Sequence, residues 1–275
     1  MADIRLHASE WKPLDTGLAE GCRICAIGDV HGYSGHLRAL IAKFERDSLG
    51  AEEKKLILLG DLIDRGPDSL GAIDAALGRG NRDFTSELCL MGNHEQMLKL
   101  ALRGTDKSDV RLWLYNGGKS LTDQFNLGKR LNFLNETQFA DSLRNSLSPR
   151  RIEFLDNLRP HKFEGNLLFV HAGIHPRRTL AEHLSQPWDL LSEFHWAWIR
   201  EPFLSLAVPF ANTKVVHGHT FVRSRKPAIE ASQLFEPHLE CEGKINLDAG
   251  SYLSGCVAGA EFESCRYRVT IAVGA

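Results

Sequence analysis

A chain of 275 residues with 43% hydrophobic and 25% charged side chains is globular, with core material for one large domain or two small ones. Its formal charge of −2, without a block of like charges, argues against a nucleic-acid binder, which needs a basic face. No apolar run approaches the ~20 residues of a membrane span, and residues 1–23 mix charged and apolar side chains unlike a signal peptide, so a cytoplasmic protein with no membrane or nucleic-acid partner is expected.

Arg23 to Ile27 reads as a first buried strand, ending in Gly28-Asp29-Val30-His31-Gly32. Cys22 and Cys25 lie three apart on that strand and project to opposite faces, which suits neither a metal clamp nor a redox turn. With no second C-x-x-C, the six cysteines read as reduced, partly buried thiols. Ser34 is placed to cap a helix with Leu37, Leu40, Ile41 and Phe44 on one face. A second apolar strand, Lys55 to Leu59, runs into Gly60-Asp61-Leu62-Ile63-Asp64-Arg65-Gly66, and an amphipathic helix follows, capped by Asp68 or Ser69 and marked by Leu70, Ile73 and Leu77. A third strand, Glu87 to Met91, ends in Gly92-Asn93-His94-Glu95, with a helix from about Gln96 to Leu102. Strand, polar cluster and helix thus recur three times, the pattern of an α/β protein whose site lies at the carboxyl ends of adjacent strands.

Between Gly104 and Gly165 the pattern changes. Trp113-Leu114-Tyr115-Asn116-Gly117-Gly118 reads as a turn, and helices are expected near Glu136 to Leu143 and after Ser148-Pro149. We read a single domain, 1–275, with a helical insertion at about 104–165 that shapes substrate choice together with 175–212. Strands resume at Asn166 to Val170, ending in His171-Ala172-Gly173, and at Thr213 to Val216, ending in His217-Gly218-His219-Thr220. Lys244 to Asp248 and Tyr267 to Val273 read as closing strands, and the basic run Arg223-Ser224-Arg225-Lys226 as a solvated loop.

Asp29 and His31, two apart at a strand end, can grip one ion from one side. Asp61 can bridge, since a carboxylate has two oxygens. Asn93, His171 and one of His217 and His219 would complete a second site. Oxygen and imidazole donors without thiolate suit manganese, iron or zinc. Two such ions would hold a hydroxide and a phosphoryl oxygen for in-line hydrolysis of a phosphoester, with water ionised near pH ~7. His94 is placed to protonate the leaving alkoxide, Asp64 to orient that imidazole, and Arg65 to fork a phosphate. The bland alternative for Asp61–Arg65 is a solvated turn with a surface ion pair.

The ordered motifs ending these strands, with further likeness at Trp113–Gly118, Trp198–Phe203 and Asn246–Gly250, resemble the metallophosphoesterases (calcineurin-like) of the phosphoprotein phosphatase type, above all the bacterial serine/threonine phosphatases. The resemblance implies a four-layer α/β/β/α sandwich. It implies Asp29, His31 and Asp61 on one metal, and Asp61, Asn93, His171 and His219 on the other, which settles on His219 over His217. It also makes Arg65, Arg200 and Asn93 phosphate ligands, against the reading of Arg200 as a surface helix arginine. The activity implied is hydrolysis of phosphoserine or phosphothreonine in proteins, with phosphotyrosine within reach, and a phosphorylated protein or other phosphate ester as substrate. Two alternatives stand beside it: symmetrical dinucleoside tetraphosphate hydrolysis, and an inactive phosphopeptide-binding module. Dinucleoside tetraphosphate hydrolases often lack the equivalents of Asp64 and Glu95, and an inactive module should have lost a ligand or the acid.

Overall fold

The computed structural model describes residues 3–78, 82–127, 135–210, 212–221 and 234–274. The basic run Arg223–Lys226 lies outside them. Chain order begins with β1 (Ile4–Ala8), β2 (Lys12–Pro13), β3 (Cys22–Ile27), α1 (Ser34–Asp47), β4 (Glu53–Leu58), α2 (Ser69–Leu77), β5 (Ser86–Cys89) and α3 (Asn93–Arg103). Then come α4 (Lys107–Trp113), a π-helical turn (Leu114–Gly118), α5 (Lys119–Gln124), α6 (Glu136–Ser146), α7 (Pro149–Asp156), β6 (His161–Glu164) and β7 (Leu167–Val170). The chain closes with α8 (Leu180–Leu184), β8 (Lys214–His217), β9 (Lys244–Asn246), α9 (Ser251–Ser254), β10 (Cys256–Phe262) and β11 (Arg266–Gly274).

Among the described residues the strands form two sheets. The first is ordered β1-β11-β10-β3-β4-β5 with β2 beside β11, and the second β6-β7-β8-β9. Strands β3, β4 and β5 are mutually parallel, as are β7, β8 and β9, so three carboxyl ends from each sheet meet at one rim. Alternation sorts the side chains between layers. Ile24, Ala26, Ile57, Phe169, Val216 and Ile245 fill the space between the sheets, while Cys25, Ile27, Leu56 and Leu58 face the helices, as do Leu168 and Val170. Phe169 meets Phe262 edge to face across that gap, ring centroids 5.8 Å apart. Burying one such ring stabilises the fold by about 1.5–3 kcal/mol. Cys22 and Cys25 indeed fall in different layers, and the six cysteines carry no disulfide.

Several local expectations need correction. Ser34 is the first helical residue rather than the cap, and its hydroxyl donates to Asp68. Asp68 is the cap of α2, accepting from the Gly71 amide at 2.9 Å. Helix α3 starts at Asn93, three residues before the apolar periodicity, because Gly92 caps it and the Glu95 carboxylate returns to the Gly92 amide. Asn93 and His94 therefore stand on its first turn. The turn expected at Trp113–Gly118 is a kink between two helices: α4 ends at Trp113 and α5 begins at Lys119, with Gly117 non-helical at φ 117°. Strands β1, β2, β6 and β10 went unpredicted. The β6 stretch His-Lys-Phe-Glu has an exposed Phe163 and no apolar face, and Gly259 interrupts β10 where a glycine argues against a strand.

Candidate active site

The site is built from the first sheet's rim upward. After β3 the amides of Val30 and His31 donate to the Asp61 carbonyl, at 3.0 and 2.8 Å, stitching the first two motifs together. The Glu95 carboxylate then takes the amides of Asp61 and Leu62, both at 2.8 Å, and of Gly92 at 3.1 Å. One buried acid thus fixes two of the three strand-end loops. Its pKa is raised to about 7 by burial and by the Asp61 charge. Gly92 has no substitute, since a Cβ there would lie 2.1 Å from Asp61 Oδ1. His31, Asp61, Asp64, Arg65 and His219 all adopt positive φ, from 43° to 69°. Such backbone is costly for non-glycine residues and gathers where function over-determines geometry.

His31 donates Nδ1–H to the Ile63 carbonyl at 2.8 Å, which leaves Nε2 as a lone pair, 3.6 Å from Asp61 Oδ2. The Arg65 guanidinium donates to that Nε2 at 2.9 Å and lies over the Tyr252 ring, 4.6 Å from its centroid. His94 Nδ1 donates to Asp64 Oδ2 at 2.8 Å, and the Trp113 indole N–H donates to the same oxygen at 2.9 Å. His94 Nε2 has no hydrogen-bond partner among the described residues and stands 4.0 Å from Asp61 Oδ2. Burial disfavours a charged imidazole, but Asp61, together with the Asp64 bond and charge, outweighs it and raises the His94 pKa.

From the second sheet, His171 donates Nδ1–H to the Leu59 carbonyl at 2.8 Å, and His219 donates Nε2–H to the Trp198 carbonyl at 3.0 Å. Their remaining nitrogens face Asn93 Oδ1 at 3.2 and 2.9 Å, and His171 Nε2 lies 3.4 Å from Asp61 Oδ1. Acceptors converge there without a proton between them, an arrangement that fits a cation. Burial holds these imidazoles neutral, as ligation of a metal would require: His31 is pushed down to about 3, and His171 and His219 are lowered. Burial also raises Asp29, reinforced by the charges of Asp248 and Asp61. Three buried carboxylates and neutral imidazoles suit divalent ions.

Two groups have ligand atoms mutually within 4.8 Å: His31, Asp61 and His94, and Asp61, His171 and His219. Asp29, expected beside His31, belongs to neither; both its oxygens accept from the His219 amide, at 3.0 and 3.1 Å. His217 points away from both groups, its Nδ1 near the Gly218 carbonyl and its ring against Phe203. Arg200 is exposed and lies on no helix; its charge disfavours protonation of His171 and His219, which puts it beside the second group.

Sequence reasoning assigned no role to Glu95, Trp113, Asp248 or Tyr252. Asp248, its pKa pushed up to about 6 chiefly by burial, follows β9 beside glycine as the other motifs follow their strands, a signal that was available. Trp113 was marked only as part of the Trp113–Gly118 likeness to the family, which gave it no role.

No helix of the described residues is long and apolar enough to cross a membrane. A serine/threonine-protein phosphatase 1 from Salmonella typhimurium is 35% identical over 118 residues, 43% of this chain and 44% of that protein. A symmetrical bis(5'-nucleosyl)-tetraphosphatase from Nitrosospira multiformis is 30% identical over 163 residues, 58% of this chain and 46% of that protein. The chain therefore spans less than half the length of these curated relatives. A structure of a cold-active protein tyrosine phosphatase superposes with a TM-score of 0.54 at 20% identity, covering 91% of this chain and 76% of the other, and shows a shared fold. Residues 22–247, which span the motifs from Gly28 to Thr220, match the calcineurin-like phosphoesterase domain, and the chain belongs to that family of hydrolases.

Proposed function

We propose that this chain is a metal-dependent phosphomonoesterase acting on phosphoserine and phosphothreonine in proteins, with phosphotyrosine within its chemical reach. The observation that carries the reading is the His94–Asp64 pair, its free Nε2 turned toward the Asp61-centred donors. In this reading Asp29, His31 and Asp61 hold one ion, and Asp61, Asn93, His171 and His219 the other. Manganese is the expected metal, with iron and zinc suiting the same donors. When bound, the two ions supply an activated water and neutralise charge on the phosphoryl oxygens. Arg65, Arg200 and Asn93 hold the phosphate, the guanidinium forks matching its geometry. His94 Nε2 then delivers its proton to the leaving alkoxide while Asp64 keeps the imidazole oriented.

A second reading, symmetrical hydrolysis of dinucleoside tetraphosphates, is favoured by the longer match to the Nitrosospira protein. Retention of Asp64 and Glu95, each with a defined structural task, favours the phosphoprotein. Metal-stripped protein reloaded with manganese should hydrolyse a phosphoserine peptide in preference to diadenosine tetraphosphate. The opposite preference would replace the substrate. Activity on neither, with metal bound, would return the chain to a phosphopeptide-binding role. His94→Asn should leave metal content unchanged and lower kcat on the phosphoserine peptide about 10²–10³-fold.

A further inference from the structure

We propose that Trp113 is a positioning residue of the acid: its indole N–H fixes the Asp64 carboxylate that aims His94 at the leaving group. The inference rests on the assignment of His94 as that acid. Asp64 Oδ2 receives two N–H groups, from His94 Nδ1 at 2.8 Å and Trp113 Nε1 at 2.9 Å, while Oδ1 has no partner. Among the described residues, Trp113 is thus the only side-chain anchor of the carboxylate besides the imidazole it must orient. Both residues are fully buried, so no solvent replaces that bond.

The indole is itself held in place. A Cβ on Gly118 would lie 2.4 Å from its ring, so the widened turn wraps the tryptophan closely. The carbonyl of Gly117 in the same turn accepts from the Arg65 amide at 3.2 Å. The kinked stretch from Trp113 to Gly118 therefore clasps two consecutive residues, Asp64 and Arg65, whose φ angles are 69° and 64°. A tryptophan serving only as core filler would need neither the shared oxygen nor this register. The helical segment between the third and fourth motifs hence contributes to the chemistry itself, beyond any part in substrate choice.

The test compares leaving groups on the manganese-loaded protein. An alkoxide needs the acid, whereas p-nitrophenolate leaves with little help, so an orientation defect appears mainly on the former. Trp113→Phe removes the N–H and keeps an aromatic ring. It should lower kcat on a phosphoserine peptide about tenfold, with a loss at least five times smaller on p-nitrophenyl phosphate and little change in KM. Where the phenyl ring packs poorly and the melting temperature drops, 3-benzothienylalanine at 113 keeps the shape and deletes only the donor. In metal-free protein the Trp113 indole N–H resonance should lie downfield and move upfield in Asp64→Asn. An unmoved resonance, or equal losses on both substrates in the benzothienyl variant, would overturn the inference. His94→Asn is the control that separates the two ideas. If it discriminates between the substrates and the position-113 variants do not, the Trp113 inference falls and the acid stands; if His94→Asn does not discriminate, both fall.

Discussion

Around Asp61 the two groups of donors are built differently. In His31, Asp61 and His94 a guanidinium already reaches in, with Arg65 donating to His31 Nε2 at 2.9 Å. In the group of Asp61, His171 and His219, lone pairs face the Asn93 amide oxygen at 3.2 and 2.9 Å, and no cationic side chain of the described residues is bonded among them. The first group therefore has a resident positive charge that an ion must displace, while the second is preorganised for an ion alone. Their supports differ as well. The first is held by amides and carboxylates within the first sheet, whereas His171 is oriented by the Leu59 carbonyl of the opposite sheet. In the proposed reading one carboxylate joins two sites of unequal readiness, so occupancy should be sequential, the site of Asp61, Asn93, His171 and His219 filling first.

The largest effect should come from Asp61→Asn, which breaks both groups together: turnover should fall on the order of 10³–10⁴-fold, and elemental analysis should find neither site filled at stoichiometric manganese. Full occupancy in that variant would refute Asp61 as the shared ligand. Arg65→Lys sharpens the contrast. It should lower kcat/KM about tenfold, since an ammonium cannot fork a phosphate, yet tighten the weaker step of a manganese titration by freeing His31 Nε2. An unchanged titration would mean that Arg65 does not compete with the ion.

The smallest effect concerns pH. His183, behind the second group, meets the Gly173 carbonyl through Nε2, and burial pushes its pKa down to about 4. Between the ordinary value near 6.5 and about 4 the unfolded chain holds the proton and the folded chain does not, so this residue makes stability fall as pH falls through that window. His183→Gln should remove up to about 1.4 kcal/mol per pH unit of that slope, read as a smaller drop in urea midpoint between pH 7 and pH 5. An unaltered pH dependence would show that the imidazole is not kept neutral.

Much of this arrangement was readable from the chain because polar clusters recur at one place, just past an apolar run. Asp29, Asp61 and Asn93 in one sheet and His171 and His219 in the other follow that rule, and the parallel pairing brings them to one rim. What escaped reading depends on pairing distant in sequence. Glu95 looks like an ordinary helical acid until its oxygens are found on the amides of Asp61, Leu62 and Gly92. Trp113 sits in a segment whose apolar periodicity describes packing, and only the fold shows its N–H on Asp64. The early start of α3 was hidden because a glycine cap and a returning carboxylate, rather than apolar spacing, set that boundary.

The widened turn after α4 also bears on recombination with homologous chains. Its Gly117 carbonyl is tied to Arg65, while beyond α7 the Arg159 carbonyl receives the Met91 amide at 2.8 Å. These two attachments bracket a cassette. A crossover placed after Gly118 and before Arg159 leaves Trp113 and the Gly117–Arg65 contact in place, provided that the donor segment brings its own partners for the groups this one meets, among them Asp74, which pairs with Arg151, the Leu70 amide, which donates to Gln124, and the Leu102 carbonyl, which accepts from Arg144. A junction a few residues earlier would separate Trp113 from the aspartate it holds, so chimeras of this family should be cut on the far side of the paired glycines.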